Sequence, residues 1–211
     1  MLMLEEGLLI GKGCTQTCYK HPQNSGLCIK IVHKDQGKKH GQQDVDREIA
    51  YREMLDKKDK DYSILAKYYG TELTNLGEGY VYERITDADG CASRALSDYL
   101  RNEALLRSNF AKLVVSLKEL KRGISANEIV TMSLGPPNIL MQNFGETFKA
   151  RIVDDIGSND SLPLAYWFGV YAKIRAGYKW AKFRKHIVKK FADGSPDEAI
   201  RKLVRQLARE I

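Results

Sequence analysis

The chain has 211 residues, 43% of them hydrophobic and 29% charged, with a net charge of +7 and a pI near 9.1. That apolar content can build a core and excludes a largely disordered chain. No run approaches the ~18 apolar residues of a membrane span, and the N-terminal stretch lacks the basic and apolar blocks of a secretory signal.

The charge is unevenly spread. Residues 1–170 carry 22 Lys and Arg against 23 Asp and Glu, whereas residues 171–211 carry 12 against 4. The basic excess therefore belongs to the C-terminal fifth. Cys14, Cys18, Cys28 and Cys91 are too few for a disulfide framework. A reducing, cytoplasmic setting is expected.

In chain order, residues 7–33 read as a three-stranded antiparallel meander. Gly11-Lys12-Gly13 reads as its first turn and His21 to Gly26 as a second. Residues 44–58 place Val45, Ile49 and Leu55 at near-helical spacing, so a helix follows. Residues 70–73 and 79–85 read as strands joined by a turn at 75–78, and residues 86–90 as a polar hinge. Helices are expected over 95–106, with Ser93 as cap, and over 109–122, with Phe110, Leu113, Val114, Leu117 and Leu120 on one face. Pro136-Pro137 fixes a loop between short strands, and residues 148–153 form another strand. Residues 163–211 read as helical with a break at Asp193-Gly194-Ser195-Pro196. In that stretch Trp167, Tyr171, Ile174, Tyr178 and Phe183 are expected to face inward. The fold class is α+β, with a β-rich N-terminal lobe (1–85), a hinge (86–90) and a short helical C-terminal lobe (91–211).

Several residues could carry chemistry. Gly11 and Gly13 allow the backbone to approach a phosphate, although an ordinary hairpin turn needs them equally. Lys30, inside an apolar strand, either faces solvent or has a partner, and Glu48 on the next helix is one candidate. Asn138 and the Asp154-Asp155 pair are hard oxygen donors suited to Mg²⁺, or simple turn residues. Cys14, Cys18, His21 and Cys28 do not have a standard zinc spacing. The basic and aromatic residues 171–190 suit a solvated helix face, an anionic substrate, a membrane surface or nucleic acid. No helix-turn-helix or RNP signature supports the last.

Taken in order, these features resemble the protein-kinase-like fold: glycine hairpin, strand Lys, helix Glu, hinge, Pro-x-Asn loop, strand-end Asp-x-Gly. Ser133-Leu134-Gly135-Pro136-Pro137-Asn138-Ile139-Leu140 resembles the kinase catalytic loop, and Ile152 to Gly157 the strand entering its metal-binding motif. With Cys28-Ile29-Lys30-Ile31-Val32 and Gly79-Tyr80-Val81-Tyr82, the chain resembles the bacterial PhoP regulatory network (YrbL) family. That resemblance implies ATP and Mg²⁺ as ligands. Lys30 would hold the phosphates and Glu48 would orient Lys30. Asn138 and Asp154 would bind the metal, with Asp155 favoured instead by D-x-G spacing. Glu83, within 82–85, would meet the adenine edge through backbone groups. The base position is Ser133, which is not a base at pH 7. A slow phosphotransferase acting on a small or envelope-related molecule, a nucleotide-binding pseudokinase with a partner protein, and a basic C-terminal binding module all remain open. Asp155 or Asp160 could replace the base. Only 54 residues follow Gly157, too few for the large substrate subdomain of protein kinases.

Overall fold

The computed structural model describes residues 1–33, 40–58, 60–158 and 168–211. Asp160, Trp167 and the start of the expected helix at 163 lie outside these residues.

The N-terminal part is a five-stranded sheet. After a 3₁₀ turn at Glu6–Leu8 come β1 (Leu9–Lys12), β2 (Gln16–Lys20) and β3 (Leu27–Val32). Helix α1 (His40–Asp56) intervenes before β4 (Tyr68–Thr74) and β5 (Gly77–Glu83). The strand order is β1-β2-β3-β5-β4 and every neighbouring pair is antiparallel. β3 is therefore central, which explains its near-continuous apolar run. Gly11 does not belong to the turn. A bulge after Leu9 keeps it in β1, opposite Cys18, and leaves residues 13–15 to turn the chain.

Gly79 is where β5 crosses the side chains of β3. A Cβ there would lie 2.5 Å from Ile29 Cγ2 and 3.1 Å from Ile31 Cδ1. Gly79→Ala is expected to cost about 1–3 kcal/mol by overpacking. The urea midpoint should fall with an unchanged m-value.

The rest of the chain is mostly helical. β6 (Arg94–Ala95) leads into α2 (Leu96–Arg101) and α3 (Glu103–Ser108), followed by α4 (Phe110–Ala126). The single helix expected over 95–106 is thus two. Asn102 adopts an extended conformation between them and caps the second by accepting from the Leu105 amide. Ser93 is not a cap. Its hydroxyl donates to Asp87 at 2.5 Å and helps fasten the tight turn at residues 87–90. β7 (Ile139–Asn143) and β8 (Phe148–Ile152) complete a three-stranded sheet with β6. Helix α5 (Gly169–Ile187), a π turn (Val188–Ala192) and α6 (Glu198–Glu210) follow.

The main core joins α4, α5 and α6 to the β7–β8 sheet, through Leu113, Leu117, Ile139, Met141, Phe183 and Leu207. The inward face of α5 is Ala172, Ala176, Trp180, Phe183 and Ile187. Tyr171, Ile174 and Tyr178 are exposed, contrary to the sequence expectation. In the first half of α5 it is the two alanines that face inward.

Candidate functional site

Lys30 sits on the central strand and is buried, with 9% of its surface exposed. A lysine there must find partners. Its Nζ donates to the Val153 carbonyl at 2.7 Å, lies 3.6 Å from Asp154 Oδ1 and stands 4.6 Å from the centre of the Tyr82 ring. Burial alone would lower its pKa. The nearby carboxylates of Asp154 and Glu48 outweigh that and hold the ammonium above its ordinary value.

Glu48 is buried on α1, but its ion-pair partner is not Lys30. Arg52, one turn further on, takes it through Nε at 3.0 Å and Nη2 at 2.8 Å. The remaining Arg52 nitrogen donates to the Ala66 carbonyl at 2.7 Å. The expected Lys30–Glu48 pair is thus replaced by an i,i+4 pair within one helix and a Lys30–Asp154 pair between β3 and the end of β8. Glu48-x-x-x-Arg52 is visible in the sequence as such a pair.

Asp154 and Asp155 close the strand β8 and part company. Asp154 faces Lys30, with about a third of its side chain exposed. Asp155 turns into the left-handed region, at φ 62°, which Asp and Asn tolerate better than most residues. Its carboxylate accepts the hydroxyl of Ser133 and, at 2.9 Å, the amide nitrogen of Asn138. Burial raises its pKa and the neighbouring Asp154 charge adds to that, partly opposed by the two hydrogen bonds. Sequence reasoning left these two aspartates interchangeable; the structure gives them different partners.

The loop that carries Ser133 is held at both ends. Pro136–Asn138 form a 3₁₀ turn, and the Asn138 carbonyl accepts from Val153 N at 3.0 Å. Met132 N donates to the Asp155 carbonyl at 2.7 Å. The Lys179 ammonium reaches the Met132 carbonyl from α5. Tyr51 of α1 accepts from Val130 N at 2.8 Å. Neither Lys179 nor Tyr51 carries a motif that announces this role.

The two glycines of the first hairpin are exposed, and Gly13 N donates to the Gln16 carbonyl at 2.8 Å. Glu83 ends β5. Its carboxylate holds Arg151, while its backbone N–H donates to Lys67 O at 2.8 Å and its carbonyl accepts the Cys28 thiol. His21 staples its own turn by accepting from Gln23 and Asn24 amides, and contacts Glu72 at 3.2 Å. A cavity of about 540 Å³ is lined by Arg52, Glu83 and Arg151, and by none of Lys30, Ser133, Asn138 or the two aspartates.

The donors fit a hard divalent cation. Asn138 spends its amide nitrogen on Asp155, which leaves Oδ1 as an acceptor beside two adjacent carboxylates. Their mutual repulsion is what a dication relieves.

Residues 2–188 match the family described as PhoP regulatory network protein YrbL. The chain is similar to the uncharacterized protein YrbL of Escherichia coli (strain K12), at 39% identity over 169 residues, which is 79% of each chain. It is equally similar to the protein of the same description from Shigella flexneri. Among the described residues, no helix is long and apolar enough to cross a membrane.

Proposed function

The chain belongs to the PhoP regulatory network protein YrbL family, and on that premise we propose that it binds ATP with Mg²⁺ and transfers a phosphoryl group to a small or envelope-related acceptor. The observation that carries this reading is the convergence of Lys30, Asp154, Asn138, Asp155 and Ser133 from β3, the 131–138 loop and the end of β8.

Each residue then has a task. Lys30 binds phosphate oxygens with a charge held firmly on the ammonium. Asp154 and Asn138, with Asp155 close by, hold Mg²⁺, which supplies charge neutralisation at the phosphates. The exposed Ser133 hydroxyl meets the acceptor. As it takes the acceptor's proton it gives its own to Asp155, whose carboxylate already accepts the Ser133 hydroxyl. Asp155 thereby replaces the missing base. The glycines of the first hairpin can cover phosphates, whereas the Glu83 N–H and carbonyl already serve Lys67 and Cys28 and are not open to a base edge.

Millimolar MgATP is expected to raise the melting temperature, by an amount equivalent to about 2.7 kcal/mol at a hundredfold excess over Kd. Lys30→Ala and Asp154→Ala should remove the shift. A melting temperature unmoved by MgATP in the unsubstituted chain overturns the reading.

One observation favours a second reading, a nucleotide-binding regulator without turnover. Glu48 is engaged by Arg52 and so does not orient Lys30. Phosphate release on the same sample separates the two. Activity that appears only in Ser133→Asp favours the regulator.

A further inference from the structure

Helix α5 has an outward face of exposed side chains. Opposite its buried stripe, at 100° per residue, lie Tyr171, Ile174 and Tyr178 in its first half. They are 42%, 65% and 64% exposed. Val170 and Phe168 extend the patch at 75% and 59% exposed. Large apolar side chains grouped in this way mark an interaction surface. The second half of the same face continues with exposed Lys182 and Lys185, and Lys189 follows in the π turn.

Two further observations define what fits it. From Gly169 to Ala192 the sequence has no Asp or Glu, but eight Lys and Arg. Beyond the lysines lies a groove of about 550 Å³ between α5 and α6, lined by Arg184, Lys185, Lys189, Arg205 and Arg209, with Asp193 as its one acid. The occupant is therefore uniformly anionic and also accepts apolar side chains. Protein–protein interfaces are depleted in lysine, whereas helices lying in a lipid interface are enriched in it. Nucleic acid satisfies the lysines, but offers Val170 and Ile174 no apolar phase.

We infer that the outward face of α5 docks on an anionic lipid surface, with Tyr171, Ile174 and Tyr178 entering the interface and the basic groove receiving phosphate headgroups. Tyrosine suits this place because its ring is apolar and its hydroxyl stays wet. The docked helix is also the one whose Lys179 holds the Met132 carbonyl. The inference does not depend on nucleotide binding.

The test is co-flotation of the full chain with phosphatidylcholine vesicles, with and without about 30% phosphatidylglycerol. Binding is expected with the anionic lipid alone, and should weaken at least about tenfold in roughly 0.5 M salt. Two triple variants, one with Tyr171, Ile174 and Tyr178 changed to Ser and one with Lys182, Lys185 and Lys189 changed to Glu, should each weaken it by about tenfold or more. Circular dichroism melts establish that both remain folded; all six side chains are exposed. Failure of the unsubstituted chain to float with anionic vesicles overturns the inference. So does binding that survives the apolar variant unchanged, or duplex DNA binding tighter than vesicle binding in the same buffer.

Discussion

Asp155→Asn is expected to abolish turnover, by about 10²–10⁴-fold, while raising the melting temperature of the metal-free chain at pH 7. The two effects share a cause. Asp155 is partly buried beside Asp154, and its folded pKa lies above the ordinary value. For such a group the stability contribution is complete below the unfolded pKa and is lost as pH rises through the folded one. At pH 7 the ionised carboxylate therefore works against folding. Asparagine removes that charge, keeps an oxygen for Ser133 and Asn138, and tolerates the left-handed backbone. The advantage should vanish below about pH 4, where the native carboxyl is itself protonated. Melts from pH 3 to 8 and a phosphate-release assay read both halves. A variant that melts lower at pH 7 contradicts the burial argument, and one that retains turnover removes Asp155 from the mechanism.

The largest stability effect is expected at Arg52. Glu48 and Arg52 are 3% and 9% exposed, and two guanidinium nitrogens meet one carboxylate oxygen. Arg52→Met leaves Glu48 charged and buried, at a cost of about 3–5 kcal/mol. The double variant Glu48→Leu/Arg52→Met should recover more than half of this, because a buried pair replaced by apolar groups loses little. The Ala66 carbonyl, deprived of its donor, keeps the recovery incomplete. Chemical denaturation of the three chains measures the cycle. If the single and double variants are equally unstable, the pair is not what stabilises α1.

Much of the sheet was legible from the sequence. Leu27 to Val32 reads as an apolar run with one lysine because β3 is central and Lys30 is the exception that needs partners. Asn75-Leu76 before Gly77 announces the β4–β5 turn. The partner choice of Glu48 was not legible in the same way. A lysine eighteen residues back and an arginine four residues on satisfy the same carboxylate, and only the placement of α1 against Tyr82 and Ala66 decides between them. The roles of Asp154 and Asp155 depend on one backbone rotation at Asp155 that composition does not encode. The register of α5 failed for a plain reason. Two tyrosines and an isoleucine are bulkier than two alanines, yet the first half of the helix packs on its alanines.

A joint of backbone bonds and one ion pair ties the two sheets together. Ala66 N donates to the Ile152 carbonyl at 2.9 Å and Ile152 N to the Ile64 carbonyl at 2.8 Å, while Arg151 is clamped on Glu83. Backbone bonds thus run between the segment entering β4 and β8, at the sheet edge opposite the glycine hairpin. Separating the two sheets there would break them together. The two sheets are therefore sewn together along one edge, like the spine of a book. In hydrogen exchange the amides of Ala66 and Ile152 should be among the slowest in the chain, and that of Gly13 among the fastest.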